Sequence, residues 1–180
     1  MNKKMMRSAA LVLGTGCVLA LPGCSSNQPA PPRAVAAAPV VRSIAISPAD
    51  YMARAASASL LIIKSSEQVA SREGDSGLGQ IARKLQSEQQ GIGSQLSFAG
   101  RRLNLLPSAT LLPSDQAMLD ELSVNGGSGA VYVRQMKRVL AQALSMHRQY
   151  ERYGTSPTLR PVAAVAAPVF ASELDAISRF

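Results

Sequence analysis

The chain holds a single histidine and two cysteines, and both cysteines fall within the first 24 residues. One histidine rules out the paired Glu-x-x-His motifs that dimetal helical bundles need. His147 has Leu144, not a glutamate, three residues before it. It falls beside an apolar stripe, at the edge of a helix surface. It is therefore expected to be structural or solvent-facing rather than a metal ligand. No G-x-S-x-G elbow is present, and Gly77-Leu78-Gly79 lacks the further glycine and lysine of a phosphate loop, so it is expected to be a turn. Alternating apolar and polar runs are also missing, so no strand is expected. These absences exclude the common routes to catalysis. No enzymatic activity, cofactor or nucleic-acid partner is expected.

What the chain has is an export signal. Lys3, Lys4 and Arg7 precede an apolar run from Ala9 to Leu21, which is too short to span a bilayer. Leu21-Pro22-Gly23-Cys24 then resembles a bacterial lipobox. That resemblance implies removal of residues 1–23 and lipidation of Cys24, with acyl chains on its sulfur and its amine. Each buried methylene is worth roughly 0.8 kcal/mol, so several chains make a stable anchor. Cys17 is the weaker candidate, because Gly14 stands where a lipobox wants a leucine-like residue. Ser25, rather than Asp, follows Cys24, and by resemblance to bacterial sorting patterns this favours the outer membrane. With Cys17 removed and Cys24 lipidated, no free thiol remains for a disulfide, a nucleophile or a metal. Processing also takes three positive charges and lowers the formal balance from +8 to +5.

Residues 24–46 read as a tether. Pro29, Pro31, Pro32 and Pro39 alternate with small residues and oppose helix and sheet. A helical domain is expected over 47–180. Ser47-Pro48-Ala49-Asp50 is a helix start, with a first helix from Pro48 to about Ser71. Leu78, Ile81, Leu85, Ile92, Leu96, Ala99, Leu103 and Leu106 predict a second helix from about Leu78 to Leu105. Gly91, Gly93 and Gly100 within it suggest close helix packing. A short helix capped by Ser114 follows, from Asp115 to about Ser123.

The clearest helix carries Tyr132, Met136, Val139, Ala143, Met146, Tyr150 and Tyr153 in alternating steps of four and three. It ends at Gly154. Ser156-Pro157 starts a last helix to about Ser178, which Pro168 should kink. Four long helices and one short one predict an all-α fold, with an up-down four-helix bundle as the simplest arrangement. On the second helix, the core-facing step between Leu85 and Ile92 falls on Glu88 or Gln89. A carboxylate there must be paired or turned outward. Glu88 is expected at the edge, and a polar site in the core is the sharper alternative.

The stretch from Ser47 to Ser178 resembles the bacterial envelope family called domain of unknown function 4142. The resemblance is carried by Ile81-Ala82-Arg83-Lys84-Leu85-Gln86-Ser87-Glu88-Gln89 and by Arg101-Arg102-Leu103-Asn104-Leu105-Leu106-Pro107. It is also carried by Tyr132-Val133-Arg134-Gln135-Met136 and Pro168-Val169-Phe170-Ala171-Ser172-Glu173-Leu174. It implies a ferritin-like helical bundle. Family members often carry an acidic–His pair where this chain has Glu88-Gln89. They carry a further histidine near Val139-Leu140 and another at Glu173. The resemblance therefore implies that any metal function of relatives is lost here.

Three functional expectations follow. The first is a non-enzymatic outer-membrane lipoprotein, held in the membrane through Cys24. Its periplasm-facing bundle would be a structural or interaction module for an envelope protein. The second is a degenerate ferritin-like metal or redox protein, with Glu88 and Glu173 facing each other as the weak ligand candidates. The third is a binder of anionic envelope lipids or glycans through Arg83-Lys84, Arg101-Arg102 and Lys137-Arg138.

Overall fold

A computed structural model describes residues 45–180. The expected signal, Cys24 and nearly all of the expected tether lie outside the described residues. The described residues form one compact unit with a continuous apolar core.

Helix α1 (Pro48–Glu73) begins as its sequence dictates. The Ser47 side chain accepts a hydrogen bond from the Asp50 amide at 3.0 Å, and Pro48 takes the first turn, where no amide partner is needed. Ile46, just before this cap, packs against the core and fixes the entry of the chain. Helix α2 (Gly77–Leu103) follows a three-residue turn. It ends on Asn104, in the left-handed conformation at φ 54°. The Leu105 amide then bonds back to the Gly100 carbonyl at 3.0 Å. A Cβ at Gly100 would collide with the Leu105 carbonyl, so glycine is required there. Gly91 and Gly93 face open space, so the expectation that all three glycines serve helix packing holds for Gly100 alone.

Helix α3 (Pro113–Val124) starts one residue before Ser114, with Leu112 at the cap position and no side-chain cap. The capping expected of Ser114 is not seen. Helix α4 (Gly129–Tyr153) ends at Gly154, as expected. Helix α5 (Leu159–Ser178) begins after Pro157 and runs through Pro168 without interruption. Pro168 is exposed, so its missing amide lies on the solvent side.

Side-chain contacts set the helix directions. Tyr51 near the start of α1 meets His147 and Tyr150 near the end of α4. Ser66 near the end of α1 meets Tyr132 near the start of α4. Phe180 lies against Gly77, whereas Pro161 shares a groove with Phe98. The long helices α1, α2, α4 and α5 therefore run up, down, down and up. Helix α3 returns the chain upward outside α1, from Ser57 to Gln68. All five helices thus alternate in direction. The four long ones have the single long crossover that ferritin-like bundles have.

Candidate functional site

The core carries two polar layers, and both come from residues that an all-apolar stripe would not place inside. The lower layer joins Tyr51 of α1, His147 and Tyr150 of α4, and Phe170 of α5. The Tyr51 hydroxyl lies 2.9 Å from His147 Nδ1. The Tyr51 and Tyr150 rings stack at 3.8 Å, and the imidazole lies 4.7 Å from the Phe170 ring. His147 is fully buried, which corrects its expected place at the helix edge. Helix α4 contacts both α1 and α5, so its buried face is wide enough to include position 147. At the same helix end, Tyr153 turns outward instead. Burial lowers the imidazole pKa from 6.5 to about 4, so His147 is neutral at neutral pH. Burial also pushes the Tyr51 phenol well above its usual range, so it keeps its proton.

The upper layer is a hydrogen-bonded chain across three helices. Ser59 of α1 donates to Gln89 Oε1 at 2.8 Å, and Gln89 Nε2 donates to Glu173 Oε2 at 2.7 Å. All three residues are buried. Nearby, the Ser66 and Tyr132 hydroxyls are 2.8 Å apart. Glu173 Oε1 has no hydrogen-bond partner among the described residues. Desolvation pushes the Glu173 carboxyl up from 4.5 to about 8, against the Gln89 hydrogen bond that favours the charged form. Glu88 raises it further, and Lys84 lowers it. The group is therefore mostly a neutral acid at pH 7, able to donate one proton in a hydrogen bond.

The choice between Glu88 and Gln89 resolves in favour of the amide. Gln89 fills the core-facing step. Glu88, about 100° further round the helix, is half-buried and pairs with Lys84 at 2.8 Å. Of the two weak ligand candidates, Glu173 is hydrogen-bonded to Gln89 and Glu88 pairs with Lys84, although Glu88 is near enough to raise the Glu173 pKa. Among the described residues, no three His, Cys, Asp or Glu side chains cluster as metal ligands. The layer holds one carboxyl, already hydrogen-bonded, and no histidine. Its donor set does not fit a two-metal carboxylate centre. What the layer can do is pin the register of α1, α2 and α5, since each misplaced polar group would cost its desolvation.

The family model described as Domain of unknown function (DUF4142) matches residues 30–179. The chain belongs to this family. No curated protein and no solved structure matches it. The family match extends from residue 30 to the end of α5, and both polar layers lie inside it. Two positions where the resemblance led one to expect family histidines are Gln89 and Glu173. In this chain they are direct hydrogen-bond partners. The third, at Val139-Leu140, is filled by buried aliphatic side chains. The Tyr51–His147 pair, 96 residues apart in sequence, had no signal in the chain beyond the rarity of histidine.

Proposed function

We propose that this protein is a lipid-anchored envelope protein whose helical bundle faces the periplasm as a non-enzymatic structural or interaction module. The observation that carries this reading is Leu21-Pro22-Gly23-Cys24 directly after the apolar run. The fold is consistent with it. The described chain enters the bundle at Ile46 and Ser47, so the start of α1 is the part of the bundle nearest Cys24 in sequence. Ser25 supports the outer membrane as the destination.

The test is fractionation of cells producing wild type and Cys24→Ser. The wild type should be recovered with the outer membrane. The variant should remain an uncleaved precursor or become a soluble periplasmic form. A variant cleaved normally and still wholly in the outer-membrane fraction would contradict the reading. Detergent-solubilised envelopes from the wild type should then yield a specific protein partner by affinity capture. Turnover of a small substrate by the purified protein, with no partner recovered, would point to an enzyme instead.

A further inference from the structure

The two ends of the bundle differ in charge. The upper half of the described residues is balanced, and it contains all three of their ion pairs: Arg83–Asp75, Lys84–Glu88 and Arg134–Glu121. The lower half holds Arg54, Arg101, Arg102, Arg148, Arg152 and Arg160. Only three carboxylates oppose them. Of these, Asp50 is hydrogen-bonded to the Ser47 cap, Asp115 is bonded to Ser57, and Glu151 stands beside the α4–α5 turn. The formal positive excess of the described bundle therefore sits entirely at its lower end. From Gly91 to the end of α2, and from Leu159 to Ser172 of α5, no acidic residue occurs.

Large apolar side chains project from this same end. Phe98 is 61 % exposed, Leu106 is 66 % exposed and Tyr153 is 58 % exposed. The Arg101 guanidinium lies 5.9 Å above the Phe98 ring. Phe98, Arg102, Pro157 and Pro161 line a shallow groove between α2 and α5. The lower end is also where the described chain enters, since a Cβ at Gly100 would lie 3.3 Å from Met52, near the start of α1. Ser47 follows Cys24 by 23 residues. At about 3 Å per residue, a stretch of that length could span at most roughly 70 Å, enough for this end to reach a bilayer that holds Cys24.

We propose that the lower end of the bundle is a peripheral membrane-contact surface that takes an anionic lipid bilayer. Arg101 and Arg102 meet the headgroup phosphates, while Phe98, Leu106 and Tyr153 enter the headgroup–acyl boundary. Arginine extends its stem over apolar surface while its head stays with phosphate, and aromatic rings favour that boundary. A membrane anchor plus a basic patch is the two-signal arrangement that holds a protein face down. Of the three basic doublets, Arg83-Lys84 is neutralised by Asp75 and Glu88, and Lys137-Arg138 lies in the upper half with Arg138 acting on Glu121, whereas Arg101-Arg102 has no acidic neighbour in its helix turn. The proposal rests on the Cys24 reading only for delivering the bundle to a bilayer, and the surface is testable without it.

Residues 42–180 include every core residue among the described ones and serve as an unlipidated chain. The protein has no tryptophan, so Phe98→Trp supplies the only indole, and Val124→Trp at the upper end is the control. Each is mixed with phosphatidylcholine vesicles, with and without phosphatidylglycerol, and with brominated lipid as quencher. Phe98→Trp should shift to the blue and be quenched on the anionic vesicles only, and high salt should reverse this. Val124→Trp should not respond. Replacing both arginines by Gln should weaken binding about thirtyfold, from ~1 kcal/mol per cation near a charged surface. Replacing Arg83 and Lys84 by Gln should change it by less than about threefold.

No response of Phe98→Trp at low salt overturns the proposal, and so does an equal response from Val124→Trp. Equal binding to neutral vesicles does the same. A shift with a soluble anionic polysaccharide, and none with vesicles, assigns a glycan instead. If Phe98→Trp responds as described while the cellular protein lacks acyl chains, the surface stands and the anchor reading falls. Acylated protein with no Phe98→Trp response gives the reverse.

Discussion

Replacing Glu173 by Gln should make the protein more stable, and increasingly so as pH rises. The Glu173 carboxyl titrates near 4.5 in the unfolded chain and at about 8 in the bundle, chiefly because burial disfavours its charge. The charged and titratable groups acting with it are Glu88 and Lys84 on α2 and Tyr132 on α4, and the neutral Ser59 of α1 bonds its partner Gln89. Below pH 4.5 the acid is neutral in both states, so it carries no penalty. Between pH 4.5 and 8 the folded state holds a proton that the unfolded state has lost. Stability therefore falls as pH rises through this window. At about 1.36 kcal/mol per pH unit, the loss is roughly 3 kcal/mol at pH 7 and approaches about 5 kcal/mol above pH 8. Glu173→Gln cannot ionise, and its amide still accepts from Gln89 Nε2. For a domain of this size its Tm should exceed that of the wild type by about 10 °C at pH 7. The two should nearly coincide at pH 4.5. The assay is thermal unfolding followed by helical circular dichroism from pH 4.5 to 9. A Tm difference that does not vary with pH, or a wild type that is the more stable above pH 8, would refute the reasoning.

His147 predicts the opposite limb. Its folded pKa of about 4 lies below the usual 6.5, so stability is full above pH 6.5 and is lost as pH falls towards 4. His147→Gln should abolish this acid-limb loss in the same melts while keeping a polar partner for Tyr51. Gly100→Ala should destabilise by about 2 kcal/mol in urea unfolding, because its Cβ meets the Leu105 carbonyl. Gly91→Ala, in open space on the same helix, should stabilise by roughly 0.5–1 kcal/mol. Iron, manganese or zinc should leave the Tm of the metal-stripped protein unchanged, since the upper layer offers one hydrogen-bonded carboxyl and no histidine. A rise with any one of these metals would show that the donor set has been misjudged.

Helix positions were legible because apolar residues recur at helical spacing. The Tyr132, Met136, Val139, Ala143 and Tyr150 stripe is buried as its spacing predicts. Tyr153 is exposed because the stripe outlasts the core at the end of α4, whereas Met146 is half-buried because the buried face there is centred on His147 and Tyr150. Periodicity resolves a face but not its phase: one residue is 100° of rotation, which separates a surface Glu88 from a buried Gln89. Helix direction is a tertiary property, so the crossover through α3 was not readable from spacing. Ser59–Gln89–Glu173 and Tyr51–His147 connect residues far apart in sequence. The pattern marked Glu88 or Gln89 as inward but not the partner each would find. His147 lies beside the apolar stripe in the sequence, but a helix flanked by α1 and α5 buries an arc broad enough to include it.

The central claim is that this bundle is held in the envelope by a lipid on Cys24. The most direct measurement is the intact mass of the mature protein, purified in detergent from wild-type cells. The account predicts a chain beginning at Cys24 and heavier than its amino-acid mass by a diacylglyceryl group and a further acyl chain. The same preparation from Cys24→Ser should show no acyl mass. A wild-type mature chain with no acyl increment, or one beginning at any other residue, would contradict the account.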